Sequence, residues 1–192
     1  MDILVEDQLA KIIKDKNKIT KDLAQNIRIK ILPTGGWTNT ISMAYDVISS
    51  NLLQKGTKIA VVLDQDIKDQ VPKFLSTNKQ YKGIKLDFLP IASLEKYLRY
   101  NLISVTNQKL FSMLDTYLFQ KKPLQEILSS YGQNIDKDDD GKSLYGYLLN
   151  EVRSVRKDRD DIVDLVVRFI FDNDSDSVDK LSKYIEENIL DM

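Results

Sequence analysis

The chain has 192 residues, enough for one domain with a core of its own, and a formal net charge of −1, which does not mark the whole molecule as a nucleic-acid binder. It contains no cysteine and no histidine, which excludes disulfides, thiolate catalysis, cysteine zinc sites, Ser-His-Asp chemistry and histidine metal ligation. Any catalysis therefore rests on carboxylates, Lys, Arg, Tyr, hydroxyls or a metal, a repertoire suited to phosphoryl chemistry.

Along the first ninety residues, short apolar runs predict strands at residues 3–6, 29–32, 59–63 and 86–89. Helical patterns fall between them at residues 8–16, 38–53 and 68–78. This alternation implies an α/β fold: a four-stranded parallel sheet flanked by helices, with the ends of the first and third strands on one edge. From about Ser93 the pattern becomes helix after helix, at residues 94–102, 107–119, 124–131, 143–152, 160–171 and 178–190. Ile162, Leu165, Val166 and Phe169 form an apolar stripe of helical period. The expected division is an α/β core over residues 1–92 and a helical C-terminal region over 93–192, packed on the core and contributing to its site. Residues 132–141, acidic and turn-rich, read as a loop. No apolar stretch approaches the ~20 residues of a membrane span and no signal pattern opens the chain, so a cytoplasmic protein without membrane contact is expected.

The chemistry concentrates at Asp64-Gln65-Asp66, which follows the apolar run Ile59-Ala60-Val61-Val62-Leu63. Strand alternation would place both carboxylates on one face at the carboxyl edge of the sheet, where open α/β sheets keep their ligand crevices. Ile3-Leu4-Val5 ends likewise in Glu6-Asp7. If the two strands are neighbours, three or four carboxylates converge, an arrangement that is unfavourable without a cation and suited to magnesium, manganese or calcium. The plainer reading of Asp66 is a cap on the following helix.

Other motifs are weaker. Pro33-Thr34-Gly35-Gly36-Trp37 predicts a tight turn into a helix whose N-terminus could face phosphate, with Trp37 tucked against the sheet. Gly141-Lys142-Ser143 lacks the glycine five residues earlier that a nucleotide loop needs; position 136 is Asp136. Asp136-x-Asp138-x-Asp140-Gly141 copies the first half of a calcium loop, but Tyr147 stands where the closing Glu belongs, which leaves a solvated acidic loop. Lysines crowd two stretches, Lys11 to Lys21 and Lys68 to Lys85. They read first as solvated faces, and otherwise as local phosphate-binding surfaces.

Together these residues resemble the TOPRIM domain, whose pattern is a Glu after the first strand and Asp-x-Asp after the third, here Glu6 and Asp64-x-Asp66. More narrowly, the chain is similar to the C-terminal TOPRIM domain of OLD-family (overcoming lysogenisation defect) nucleases. The segments involved are Leu4 to Ala10, Leu32 to Trp37, Val62 to Lys68, Ser93 to Leu98 and Gly141 to Tyr145. The resemblance implies a Rossmann-like TOPRIM core and a DNA endonuclease that uses two magnesium or manganese ions and no zinc. Glu6, Asp64, Asp66 and Glu95 would hold the metal, and Lys142 would stabilise charge on the phosphate. It also implies a role in phage defence, an ABC-type ATPase as partner and a possible homodimer. Some members carry a second carboxylate four residues after the first Glu, where this chain has Ala10. No phosphate loop is present, so the chain reads as an excised domain or a stand-alone subunit. Two alternatives stand beside it. One is a bacterial receiver domain, phosphorylated on Asp64, with Ser93 and Lys122-Pro123 as its later elements. The other is a TOPRIM-like scaffold for dimerisation or ATPase docking.

Overall fold

The computed structural model describes residues 2–5, 30–53, 59–132, 140–185 and 187–188. The expected Gln8 to Lys16 helix, the Lys11 to Lys21 stretch, Glu6, Asp7, Ala10, Asp136 and Asp138 lie outside the described residues.

The chain is α/β. Four strands, β1 (Asp2–Val5), β2 (Lys30–Pro33), β3 (Ile59–Leu63) and β4 (Leu86–Phe88), pair in the order β2-β1-β3-β4. Every pairing is parallel, with Val5 opposite both Pro33 and Val62, and Leu63 opposite Phe88. Pro33, which has no N–H to donate, ends a strand on the sheet's edge, where its cost to the ladder is smallest. In β3, Ala60, Val61, Val62 and Leu63 are all buried. Such continuous burial is the signature of a parallel strand covered on both faces.

Two compact units divide the chain: residues 1–91 with 176–192, and residues 92–175. The chain passes from the first unit to the second between Ile91 and Ala92, and returns to the first at Asp176, near the start of the last helix.

In the first unit, helix α1 (Trp37–Ser49) packs on β3 and β1, and α2 (Val71–Thr77) lies in the connection from β3 to β4. A helix was expected over 68–78; the chain instead takes a 3₁₀ turn, Gln65–Ile67, and starts α2 later, with Pro72 in its first turn. Proline suits that position because the first helical N–H groups have no intrahelical partner. Ile41 and Ala44 of α1, Val61 and Leu63 of β3, and Ile67 and Val71 of the connection form the core. Trp37 meets Phe74 edge-on at 5.0 Å, and Phe74 stacks on Tyr81 at 5.7 Å.

The second unit holds α3 (Leu94–Arg99), a π turn (Tyr100–Ser104), α4 (Gln108–Leu118), α5 (Leu124–Tyr131), α6 (Lys142–Arg153) and α7 (Arg159–Asn173). The helix expected over 94–102 widens after Arg99. There the buried Asn101 donates its amide to the Tyr97 carbonyl at 3.0 Å and accepts from Asn107 Nδ2 at 3.0 Å. Asn107 in turn caps α4 by accepting from the Lys109 and Leu110 N–H groups, each at 3.2 Å. One amide pair, buried Asn101 and half-buried Asn107, thus links the end of α3 to the start of α4.

Helix α7 buries Ile162, Val163, Val166, Val167, Phe169 and Ile170, a wider stripe than the sequence period suggested, while Leu165 is only half-buried. Its start is fixed by a capping box. Asp158 accepts from the Asp160 and Asp161 N–H groups at 2.8 and 3.3 Å, and Asp161 accepts from the Asp158 N–H at 2.8 Å. The final helix, α8 (Ser175–Ile185), buries Leu181 and Ile185; it was expected over 178–190. No helix among the described residues is long and apolar enough to cross a membrane.

Asp158→Ala removes the cap and should lower stability by about 1 kcal/mol. Leu114→Ala, at a fully buried α4 position, should cost about 2–5 kcal/mol through lost packing and a cavity. Urea denaturation of the two variants should therefore give clearly separated midpoints.

Candidate functional site

The sheet order reverses between β1 and β3: the chain leaves β1 for β2 on one side and returns to β3 on the other. Carboxyl ends of strands flanking such a switch point open a crevice, because the connections leave in opposite directions. Asp64 follows β3 directly, and β1 ends at Val5, opposite Val62. Glu6, the next residue in sequence after Val5, lies outside the described residues.

Alternation along a strand does not set the two aspartates. Asp64 is the last extended residue (φ −63°, ψ 146°), and Asp66 already sits in the 3₁₀ turn. The expectation of a shared strand face is therefore replaced by a strand-to-turn corner. Neither aspartate caps α2, whose N-cap is Gln70 with no side-chain capping bond. Asp66 Oδ1 is buried and has no hydrogen-bond partner among the described residues. A buried carboxylate oxygen without a donor is costly. A divalent cation satisfies such an oxygen, and an oxygen-only donor set suits magnesium or manganese. Among the described residues no group of three acidic side chains gathers that could hold a metal ion.

Next along this edge, β2 runs into the turn at Gly35 (φ 67°) and Gly36 (φ 85°), left-handed conformations that explain the paired glycines. Thr40 donates to the Gly36 carbonyl at 3.1 Å, the Thr34 and Thr40 hydroxyls are 2.6 Å apart, and Asn39 donates to the Gly35 carbonyl at 2.9 Å. The turn is closed by its own polar groups.

Glu95 and Lys142 belong to the second unit. Ser93 caps α3 by accepting from the Lys96 N–H at 3.5 Å, which puts Glu95 in the first helical turn. Gly141, at φ 77°, opens α6 with its backbone so close to Glu95 that a Cβ would overlap the Glu95 carbonyl. This contact brings the start of α6, and with it Lys142, to the same end of the unit as Glu95. The Lys142 ammonium lies 3.5 Å from Asp140 Oδ2, and both side chains are about half exposed. Such a pair is weak enough to let the lysine turn to a ligand.

Sequence reasoning missed Tyr145 and Arg159. Tyr145 is one turn after Lys142 and buried, with the Arg159 guanidinium beside its hydroxyl and Glu95 and Asp160 near it. Burial pushes its pKa from 10.0 up to about 12; Arg159 opposes the shift, while the charges of Glu95 and Asp160 add to it. Tyr145 had a signal, lying inside the Gly141 to Tyr145 motif. Arg159 had none, because the fold alone brings the start of α7 to this place.

The residues that would complete a receiver site take structural places instead. Ser93 is the cap of α3, and Lys122-Pro123 joins α4 to α5 with Lys122 Nζ 3.3 Å from Glu151 Oε1.

Gly141→Ala should destabilise the protein by more than ~2 kcal/mol, since it adds left-handed strain to a backbone overlap; urea denaturation reads this. With its folded pKa above the unfolded value, Tyr145 stays protonated while the unfolded state ionises, so its contribution to stability falls from pH 10 to about 12. Tyr145→Phe should lessen that loss and remove a phenolate absorbance step near pH 12.

No protein-family model matches the chain, and neither a curated protein nor a solved structure matches it.

Proposed function

We propose that this chain is a divalent-metal-dependent DNA endonuclease domain. It would hydrolyse phosphodiester bonds on a Rossmann-like TOPRIM core of the kind that ends OLD-family nucleases. The observation that supports this reading best is Asp66 Oδ1, a buried carboxylate oxygen without a donor among the described residues, two residues after Asp64 at the carboxyl end of β3. Glu6, Asp64 and Asp66 would hold magnesium or manganese, which supplies positive charge against the charge that develops on the phosphate. The chain's own contribution is to fix acceptor-only carboxylates at a rigid corner, where β3 is buried and Ile67 anchors the 3₁₀ turn in the core. On the family resemblance, Glu95 adds a carboxylate and Lys142 a cation for a phosphate oxygen. Two ions, an ABC-type ATPase partner and a homodimer belong to the same proposal.

Purified protein should nick supercoiled plasmid with Mg²⁺ or Mn²⁺ and not with EDTA, and Asp64→Ala should reduce nicking by ~10²-fold or more. Equal nicking by Asp64→Ala and the parent protein would place the activity elsewhere. A second readout needs no DNA. Mg²⁺ should raise the melting temperature of the parent protein through binding to the folded state, and should leave Asp66→Asn unmoved. Without metal, Asp66→Asn should melt at or above the parent temperature, because it removes the charge from a carboxylate whose Oδ1 is buried without a donor among the described residues. A parent protein indifferent to Mg²⁺ and Mn²⁺ would leave the scaffold reading.

A further inference from the structure

The connection from β3 to β4 has an uneven charge distribution. Residues 70–86 contain Lys73, Lys79, Lys82 and Lys85 and no acidic residue. With 29 acidic residues in a chain of 192, a run of 17 would ordinarily hold two or three. The fold turns this bias into a surface. Phe74, Leu75, Tyr81 and Ile84 of the same segment pack against the core, and the four lysines between them are exposed. One side of the connection therefore covers the sheet, and the other presents ammonium groups to solvent. Lys85 lies 4.0 Å from Asp87, a loose pair at the end of the run. Lys73, Lys79 and Lys82 have no carboxylate within ion-pair distance among the described residues. Gln70 and Gln80 are exposed on the same connection, while the Ser76 and Thr77 hydroxyls donate to the Lys73 carbonyl at 2.7 and 3.2 Å.

We propose that this outward face of residues 70–86 binds the phosphate backbone of DNA. The proposal rests on the nuclease reading and deepens it, because the segment leaves the carboxylate corner at Asp64 and Asp66 and runs back along the sheet. Phosphate contacts position a duplex without reading its sequence, as an enzyme that cuts the backbone requires. A lipid surface fits less well: the apolar side chains of the segment are committed to the core, so nothing on this face is left to insert between acyl chains. The large exposed apolar residues Met43, Ile48 and Leu52 lie instead on α1 and just beyond it.

The test is fluorescence anisotropy of a labelled DNA duplex with the full chain in EDTA, where cleavage does not intervene. The variant combines Lys73→Gln, Lys79→Gln, Lys82→Gln and Lys85→Gln. A control of equal charge combines Lys109→Gln, Lys121→Gln, Arg153→Gln and Lys180→Gln, all exposed positions. The first variant should lose ~30-fold or more in affinity, and its slope of log K against log salt should fall by about 3–4, since each phosphate contact contributes ~0.9. The control should change both far less. An unchanged slope in the first variant, equal losses in the two, or no duplex binding by the parent protein would each overturn the proposal. So would parent protein that binds anionic phospholipid vesicles and not DNA. Binding through this face by a protein that never nicks would refute the nuclease reading and keep the surface.

Discussion

The pairing of β1 with β3 is the constraint on which the rest depends. Because the two strands run parallel and adjacent, with Val5 opposite Val62, the chain emerges from both at one edge. A parallel pair cannot be closed by a tight turn, so each strand must be left through a long connection. The connection from β3 to β4 packs its apolar side chains on the sheet, and a switch point between neighbouring parallel strands is where open α/β sheets keep their ligand crevices. The burial of Ala60 to Leu63 makes the corner at Asp64 rigid: any shift in register would move several apolar side chains at once.

Rigidity at that corner gives Asp66 its significance. An exposed aspartate after a strand is ordinary, whereas Asp66 Oδ1 is buried with no donor among the described residues, which is costly unless something else satisfies it. On the proposed function a cation would resolve that cost, in a chain that offers carboxylates, lysines and tyrosines and no imidazole or thiol. The same economy governs the second unit. There Gly141 permits a backbone approach that sets Glu95 and the start of α6 side by side. Burial of Tyr145 next to Arg159 and Glu95 then holds a neutral phenol among charges.

How much of this was legible in the residues varies with the range of the interaction. The strands showed themselves as short apolar runs, and β3 was read to the residue, because a strand buried on both faces has no polar interruption to blur its ends. Helix starts with side-chain caps, such as Asn107 and Asp158, fell within a residue of expectation. Helix ends did not. The widening after Arg99 depends on Asn101 reaching Asn107, and the late start of α2 depends on a 3₁₀ turn that periodicity does not reveal.

The sequence by itself determined the inventory and the local geometry. It excluded thiol and imidazole chemistry, placed Asp64-x-Asp66 at the exit of a buried strand, marked Gly35, Gly36 and Gly141 as turn positions, and concentrated lysines in residues 70–86. Only the tertiary structure decided which of these groups share a place. It turned the aspartate pair into a strand-to-turn corner with one oxygen orphaned, and it sorted the lysines outward from the aromatics they alternate with. It set Arg159 beside Tyr145 and gave the last helix to the α/β unit. The physical reason is that propensity and periodicity act over a few residues, while burial and charge are properties of neighbours that only folding supplies.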